Sequence, residues 1–518
     1  MDHLEPLIAT LNSDEKGSFA AFLDKLQREN KEGKLFDLLT DGVDRSPQEI
    51  VKKIYGSKES GEHATMNAYH SLRKRLINRI FSFVQTRVMT ADHSDHSRIP
   101  GTIAVCKVFI HREKTLLAKH FLQKAEKNAI LYRQYDMLDQ LYNFYIEYAL
   151  TLELDLQDVI SKSAQNARKI ETQRKLNFAV AMLRDKLHDV RKQGDTLNPD
   201  SVTKLILHQL KIEDVETRDP LFQFRILSLY RTALISVKEY FDLESYISEM
   251  YHRLKQDNSF TKADQQTEQG FLFFLAHAQY RNRKFNSAMA SLQKAESIMT
   301  NELFRTSPYY LKMIALKAAI YANSGANPLA LEIMEKHIYQ IRRLTDSGEQ
   351  LNMMLNYCVY RFNAGDFKAA SALMRETGEL LRSSKKDMGM EWIFKKRMIH
   401  MIIRIELESL DEAEKLHKSI REDYKHFFQN PVYSRAGIFL NLIEEYLRDP
   451  IQVSDPEFIH KVRNSGLAWP GHKEDIQAIT FFCWLLSKMM RRPYYEVLME
   501  RMSEGVDAHE LNWPTAKG

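Results

Sequence analysis

Apolar residues recur along most of this chain at steps of three and four, the period of a helix buried along one face. The clearest stripe is Met66, Tyr69, Leu72, Leu76, Ile80 and Phe83, which predicts a long helix over residues 64–90. Ahead of it, helical patterns fall at about 15–28, 34–39 and 47–55. Ser46-Pro47-Gln48-Glu49 opens the last of these with a capping serine, a proline at the first helical position and an early acid. TADHSDHSRIPG (90–101) is polar, ends in Pro-Gly and reads as a linker. The expected organisation is therefore a helical N-terminal module over 1–90, a linker over 91–101, a helical array over 102–505 and a tail over 506–518.

Beyond the linker, four segments share one register. FLAHAQYRNRKFNSAMASLQ, LKAAIYANSGANPLALEIME, NYCVYRFNAGDFKAASALMR and HMIIRIELESLDEAEKLHKS align on Ala288, Ala330, Ala370 and Ala413. These alanines stand about forty residues apart. Each segment reads as two helices joined by a tight turn, with the alanine placed where two helices press together. A steady spacing of this kind is what stacked helix pairs produce, each burying its apolar face against the next.

The segments resemble degenerate tetratricopeptide repeats of bacterial type. Leu275, Ala276, Tyr280, Phe285, Ala288, Leu292 and Ala295 carry the likeness in the first, and Gly365-Asp366-Phe367 with Ala370 repeats the turn signature. The period exceeds the family's usual 34 or so, and the fourth segment keeps little beyond Leu410 and Ala413. Good resemblance covers roughly 268–425. It implies an all-α fold, a right-handed α-solenoid whose first helices line a concave groove. Carried over position by position, it puts Phe273, His277, Tyr280 and Arg281, then Lys312, Ala315, Ala319 and Asn323, on the groove. Asn352, Asn356 and Asn363 follow, then Lys395 and Met398. The family's carboxylate clamp of paired Lys and Asn is not reproduced at matching positions. The mixture of apolar, amide and basic groups suits a peptide with an apolar face and some acid.

Composition narrows the picture. Only 18 glycines and 13 prolines occur in 518 residues, which argues against an all-β fold and reinforces the helical reading. Three cysteines lie far apart without a CxxC pair, pointing to reduced thiols rather than disulfides or zinc. No secretory pattern opens the chain, and the most apolar run, ITFFCWLLSKMM, is too short to span a bilayer. A cytoplasmic protein without membrane association is expected.

Catalytic signatures are missing: GxxxxGK[ST], GxGxxG, HExxH and GxSxG do not occur. No enzyme activity and no cofactor are expected. DHSDH (92–96) contains metal-ligand residue types, but on a polar linker a solvated segment is the favoured reading. The aromatic runs LYNFYIEY, FLFF and YFDLESY are read as core rather than as a ligand-stacking surface.

The net charge is +5. Arg73, Lys74, Arg75, Arg79 and Arg87 on the helix over 64–90 equal that excess by themselves. Two function classes remain open. One is a non-enzymatic scaffold or adaptor binding a protein or peptide along the solenoid groove. The other is a transcriptional regulator, in which Arg73, Lys74, Arg75 and Arg79 of a winged-helix or helix-turn-helix module contact nucleic acid and the solenoid senses a peptide. It has the layout of bacterial peptide-responsive regulators.

Overall fold

The computed structural model describes the chain except for residues 1–3, 12, 25–30, 42–44, 57–61, 92–98, 194–204, 213–217, 237–239, 301–303, 306, 345, 385–387, 427, 429–432, 468–475 and 504–518. DHSDH and the C-terminal tail lie outside the described residues. Every regular element among the described residues is helical. The chain divides into two compact units, Met1–Gln173 and Arg174–Gly518. The division falls inside one helix, not at the 91–101 linker expected from composition.

The first unit opens with α1 (Leu4–Ala9), α2 (Ser13–Asp24), α3 (Lys31–Thr40), α4 (Pro47–Tyr55) and α5 (Glu62–Ala91). The helix expected over 64–90 is α5, and its stripe is the core of this part: Tyr69, Leu72, Leu76 and Ile80 are buried against Phe19, Leu35, Phe36 and Ile50. Ser46 and Glu49 complete a reciprocal cap on α4. The Ser46 hydroxyl accepts from the Glu49 amide at 3.3 Å, and the Glu49 carboxylate accepts from the Ser46 amide at 3.2 Å.

A second cluster follows, built on α6 (Ile99–His111), α7 (Thr115–Leu131), α8 (Tyr135–Glu147) and the start of α9 (Leu156–Gln193). The expected linker is shortened from both sides, because α5 continues to Ala91 and α6 begins at Ile99. Pro100 does not break α6. It occupies the first turn, where its missing N–H would have had no intrahelical partner.

The second unit carries α10 (Pro220–Ser236), α11 (Tyr240–Gln256), α12 (Gln265–Arg281), α13 (Phe285–Ser297), α14 (Tyr310–Asn323), α15 (Asn327–Ile341), α16 (Ser347–Asn363), α17 (Phe367–Ser384), α18 (Met390–Glu406) and α19 (Leu410–Asp423). Four consecutive hairpins, α12–α13, α14–α15, α16–α17 and α18–α19, form the tetratricopeptide-like stack. Ala288, Ala330, Ala370 and Ala413 are each fully buried. Twelve residues before each of them stands Ala276, Ala318, Cys358 or Met401, also fully buried. A side chain no larger than alanine on the second helix is what lets the two backbones close. The Cys358 thiol donates to the Ala370 carbonyl at 3.1 Å across this contact.

Five residues before each alanine, at Arg283, Gly325, Gly365 and Glu408, the backbone turns through the left-handed region, with φ of 61°, 91°, 75° and 59°. The amide after each one bonds back to a carbonyl five residues upstream, as Asp366 does to Arg361 at 3.0 Å. Gly325 and Gly365 adopt this conformation without strain, whereas Arg283 and Glu408 crowd their Cβ against the following carbonyl.

The remaining helices are α20 (Ser434–Arg448), α21 (Pro456–Asn464), α22 (Ile476–Met490) and α23 (Tyr494–Ser503). The hairpin α22–α23 does not extend the stack. It lies along the turn ends of the earlier hairpins, meeting each in succession. Ile479 and Cys483 pack in one cluster with Tyr280 and Phe285. The Tyr495 hydroxyl donates to the Ala322 carbonyl at 2.9 Å and accepts from the Asn327 amide at 3.2 Å. Tyr494 packs edge-on to Phe362 at 5.3 Å. The Trp484 indole donates to Glu406 at 2.6 Å, and Lys488 pairs with the same carboxylate at 2.6 Å. By the same register, with its turn at Arg491 (φ 50°), this hairpin carries Trp484 and Glu496 where the stacked hairpins carry Ala, Cys or Met on the first helix and alanine on the second.

Candidate functional site

The first helix of each hairpin presents a stripe at steps of three and four, and these stripes converge on one cavity of about 750 Å³ within the second unit. From α10 come Phe224, Ser228 and Arg231; from α12, Phe273, Phe274, His277, Tyr280 and Arg281. From α14 come Lys312, Ala315, Leu316, Ala319 and Asn323, with Tyr309 just before it. From α16 come Glu349, Asn352, Met353, Asn356, Val359, Tyr360 and Phe362, and from α18, Lys395, Ile399 and Ile402. The hairpin α22–α23 supplies Thr480, Phe481, Trp484 and Tyr494 as a further wall.

Of the residues placed on the groove from sequence, Phe273, His277, Tyr280, Arg281, Lys312, Ala315, Ala319, Asn323, Asn352, Asn356 and Lys395 line this cavity. Asn363 and Met398 do not line it, and both are buried. Asn363 is the last residue of α16, where the helix meets the turn, so the amide stripe ends before it. The aromatic run FLFF divides: Phe271 is fully buried, while Phe273 and Phe274 face the cavity. Sequence reasoning missed Phe224, Arg231 and Tyr309, and it missed the α22–α23 wall. Arg231 lies upstream of the segments that share the register. The wall belongs to a hairpin with Glu496 in place of the register alanine, so no repeat signal marks either.

One end of the cavity is aromatic. Phe224 stacks on Phe274 at 5.0 Å, Phe273 lies 5.7 Å from Tyr309, and the Arg231 guanidinium sits 4.6 Å over the Phe274 ring. Gly270 makes this possible. A Cβ there would stand 2.6 Å from the Phe224 ring and 2.8 Å from the Tyr309 hydroxyl, so only glycine admits both rings to the helix surface.

Polar groups complete the lining. The Asn323 amide donates to the Tyr280 hydroxyl at 3.0 Å and to the Ala319 carbonyl at 2.9 Å. Lys312 pairs with Glu349 at 2.7 Å. Asn352 accepts from the Trp392 indole at 2.8 Å. The buried Tyr360 hydroxyl and His277 Nδ1 have no hydrogen-bond partner among the described residues. Burial, reinforced by Tyr280, drives the Tyr360 phenol well above its ordinary range. Burial, then Arg231 and Arg281, holds His277 well below the usual imidazole value, so the ring is neutral near pH 7.

The cations of α5 are placed differently. Arg75 and Arg79 both pair with Glu32 of α3, at 3.1 and 3.2 Å. Arg73 donates to the Tyr69 hydroxyl at 2.7 Å, and Lys74 is exposed. Two of the four candidate nucleic-acid contacts thus hold α3 on α5.

Among the described residues, no group of three or more His, Cys, Asp or Glu side chains forms a metal-type cluster. Nor is any helix there long and apolar enough to cross a membrane. No protein-family model matches the chain, and no curated protein matches it. Among solved structures, the chain is similar to a crystal structure of NprR in complex with its cognate peptide NprX. The identity is 14%, the match covers 71% of this chain and 99% of that one, and the TM-score is 0.41.

Proposed function

We propose that this protein is a non-enzymatic binding scaffold that holds a peptide or a segment of a partner protein in the cavity of its second unit. The observation that carries the reading is the convergence of five first helices and the α22–α23 wall on one space. That space is lined by aromatic, amide and basic side chains rather than by a uniform apolar surface. A cavity of about 750 Å³ falls within the range of ligand sites. Aromatic walls supply burial, and amides supply the donors and acceptors that a peptide backbone needs. The wall along the turn ends limits the length of chain the site takes in, so a short segment fits better than one threaded along an open groove.

The test passes a proteome-derived peptide mixture over immobilised full-length protein and identifies what is retained. Peptides should be held by the native protein and released in Ala315→Trp, in which a large side chain occupies the cavity. Equal retention by both proteins, or none by either, refutes the reading.

A further inference from the structure

We infer that the outer face of α7, in the first unit, is a docking surface for an acidic amphipathic helix of a partner protein. The inference is independent of the proposed function, because none of these residues lines the cavity.

α7 buries Ala118, Leu122, Ala125 and Ala129, a stripe at steps of three and four that seats it on its neighbours. Around the rest of the helix Leu116, Leu117, Phe121, Ile130 and Leu131 are all exposed. Single surface hydrophobes are ordinary, whereas five on one helix form a patch of the kind that marks a contact site. The patch continues onto α6, where Val105 and Val108 are exposed and the Phe109 ring lies 6.2 Å from that of Phe121. Lys124 and Lys127 stand exposed within it, and neither has an ion-pair partner among the described residues. The helix has one carboxylate, Glu126, which accepts from the Tyr145 hydroxyl of α8 at 3.3 Å. The face therefore offers two unpaired positive charges amid apolar surface, with no acid of its own to offset them.

The order of these residues around the helix selects the partner. At 3.6 residues per turn, Lys124 and Lys127 fall in the middle of the exposed arc. Leu117 and Phe121 lie on one flank, Leu116 and Ile130 on the other. A helix lying in a membrane interface keeps its cations on the polar face and sinks its apolar face, whereas here the ammonium groups would sink deepest. A helix with a line of Glu or Asp between two apolar rows fits instead. Its carboxylates pair with the lysines while its apolar rows pack on the two flanks. α7 spans 17 residues, length for roughly four turns of such a partner.

The test titrates three pools of helix-forming peptides, each of about 18 residues, against full-length protein by fluorescence anisotropy. Every peptide carries degenerate Leu or Phe on two rows, and the line between the rows is Glu, Gln or Lys. The Glu pool should bind about fivefold more tightly than the Gln pool, an advantage that fades with added salt. In Lys124→Glu/Lys127→Glu the preference should invert toward the Lys pool, which a loss of folding cannot produce. Leu117→Ser/Phe121→Ser should weaken every pool while the circular-dichroism spectrum stays unchanged. Binding of the Glu pool should persist in Ala315→Trp, whose cavity is filled, so this inference and the cavity reading fail separately. Absence of binding, equal binding of the Glu and Gln pools, an unchanged preference in the charge-reversed variant, or loss of binding in Ala315→Trp overturns the inference. Recruitment to phosphatidylserine vesicles, or self-association in sedimentation that Leu117→Ser/Phe121→Ser removes, overturns it too, because each gives the face a different occupant.

Discussion

The hairpin α6–α7 of the first unit and the hairpin α16–α17 of the second follow one plan, and their surroundings differ. In each, a buried cysteine stands twelve residues before a fully buried alanine, Cys106 before Ala118 and Cys358 before Ala370. In each, the thiol donates to that alanine's carbonyl, at 3.7 and 3.1 Å, and the left-handed turn residue falls five positions before it, at Glu113 and Gly365. The second unit directs its first helices at a cavity of mixed chemistry. The first unit, over α6–α9, leaves Leu116, Leu117, Phe121, Ile130 and Leu150 exposed to solvent. The local plan therefore fixes how two helices close on each other, and the residues outside that contact decide whether the array makes a site.

The largest effect should come from enlarging the close contact. Ala330→Leu forces three extra heavy atoms into a space with no solvent exposure, at a cost of about 3 kcal/mol. Ala118→Leu should cost the same if the two hairpins are equivalent, with urea unfolding as the measure. A loss below about 0.5 kcal/mol for Ala118→Leu would break the equivalence.

Acid should separate the units next. Burial, followed by Arg404 and Lys396, lowers His400 to about 4, and burial also lowers His277 and His417. A histidine whose folded value lies below its unfolded value near 6.5 binds more protons when unfolded. Stability is then complete above that value and is lost as pH falls toward the folded value. For His400 this amounts to about 2 kcal/mol between pH 7 and 4.5. His400→Gln should lose correspondingly less over that interval in urea unfolding. An unchanged pH dependence would show that other groups govern the acid limb.

The turns give a smaller effect and explain what the sequence concealed. Glu113→Gly and Glu408→Gly relieve left-handed strain of about 1–2 kcal/mol but restore unfolded-state freedom worth about 0.4–1, leaving a net gain of about 0.5 kcal/mol. Gly365→Ala should lose about 1 kcal/mol, and destabilisation by either glycine variant would refute the strain argument. These turns also set the limit of legibility. The stack was readable from Ala288, Ala330, Ala370 and Ala413, and most of one cavity wall followed from the positions carried over from the resemblance to tetratricopeptide repeats. The α6–α7 hairpin carries the same register but turns on Glu113, and α7–α8 turns on Arg133 with φ 51°. Without glycine or proline, neither turn announces itself. The α22–α23 wall was concealed differently, since Trp484 contacts Glu406 across 78 positions of sequence and no local periodicity encodes so distant a contact.

The smallest effect tests the exposed side of the comparison. Leu150 is 96% exposed, in the turn after α8, and Leu116 is 81% exposed near the start of α7. The turn residue Glu153 links these regions, its carbonyl accepting from Lys119 at 3.1 Å. A side chain already in water has almost no apolar area left to lose, so Leu150→Ser should change stability by less than about 0.5 kcal/mol. Its buried neighbour Leu152, 2% exposed, supplies the contrast, because Leu152→Ala removes a packed side chain and should cost about 2–3 kcal/mol. Urea unfolding of both variants at several protein concentrations makes the measurement. A loss above about 1.5 kcal/mol for Leu150→Ser, growing with concentration, would mean that this apolar edge is covered by another copy in solution. The first unit would then be an interface rather than an open array.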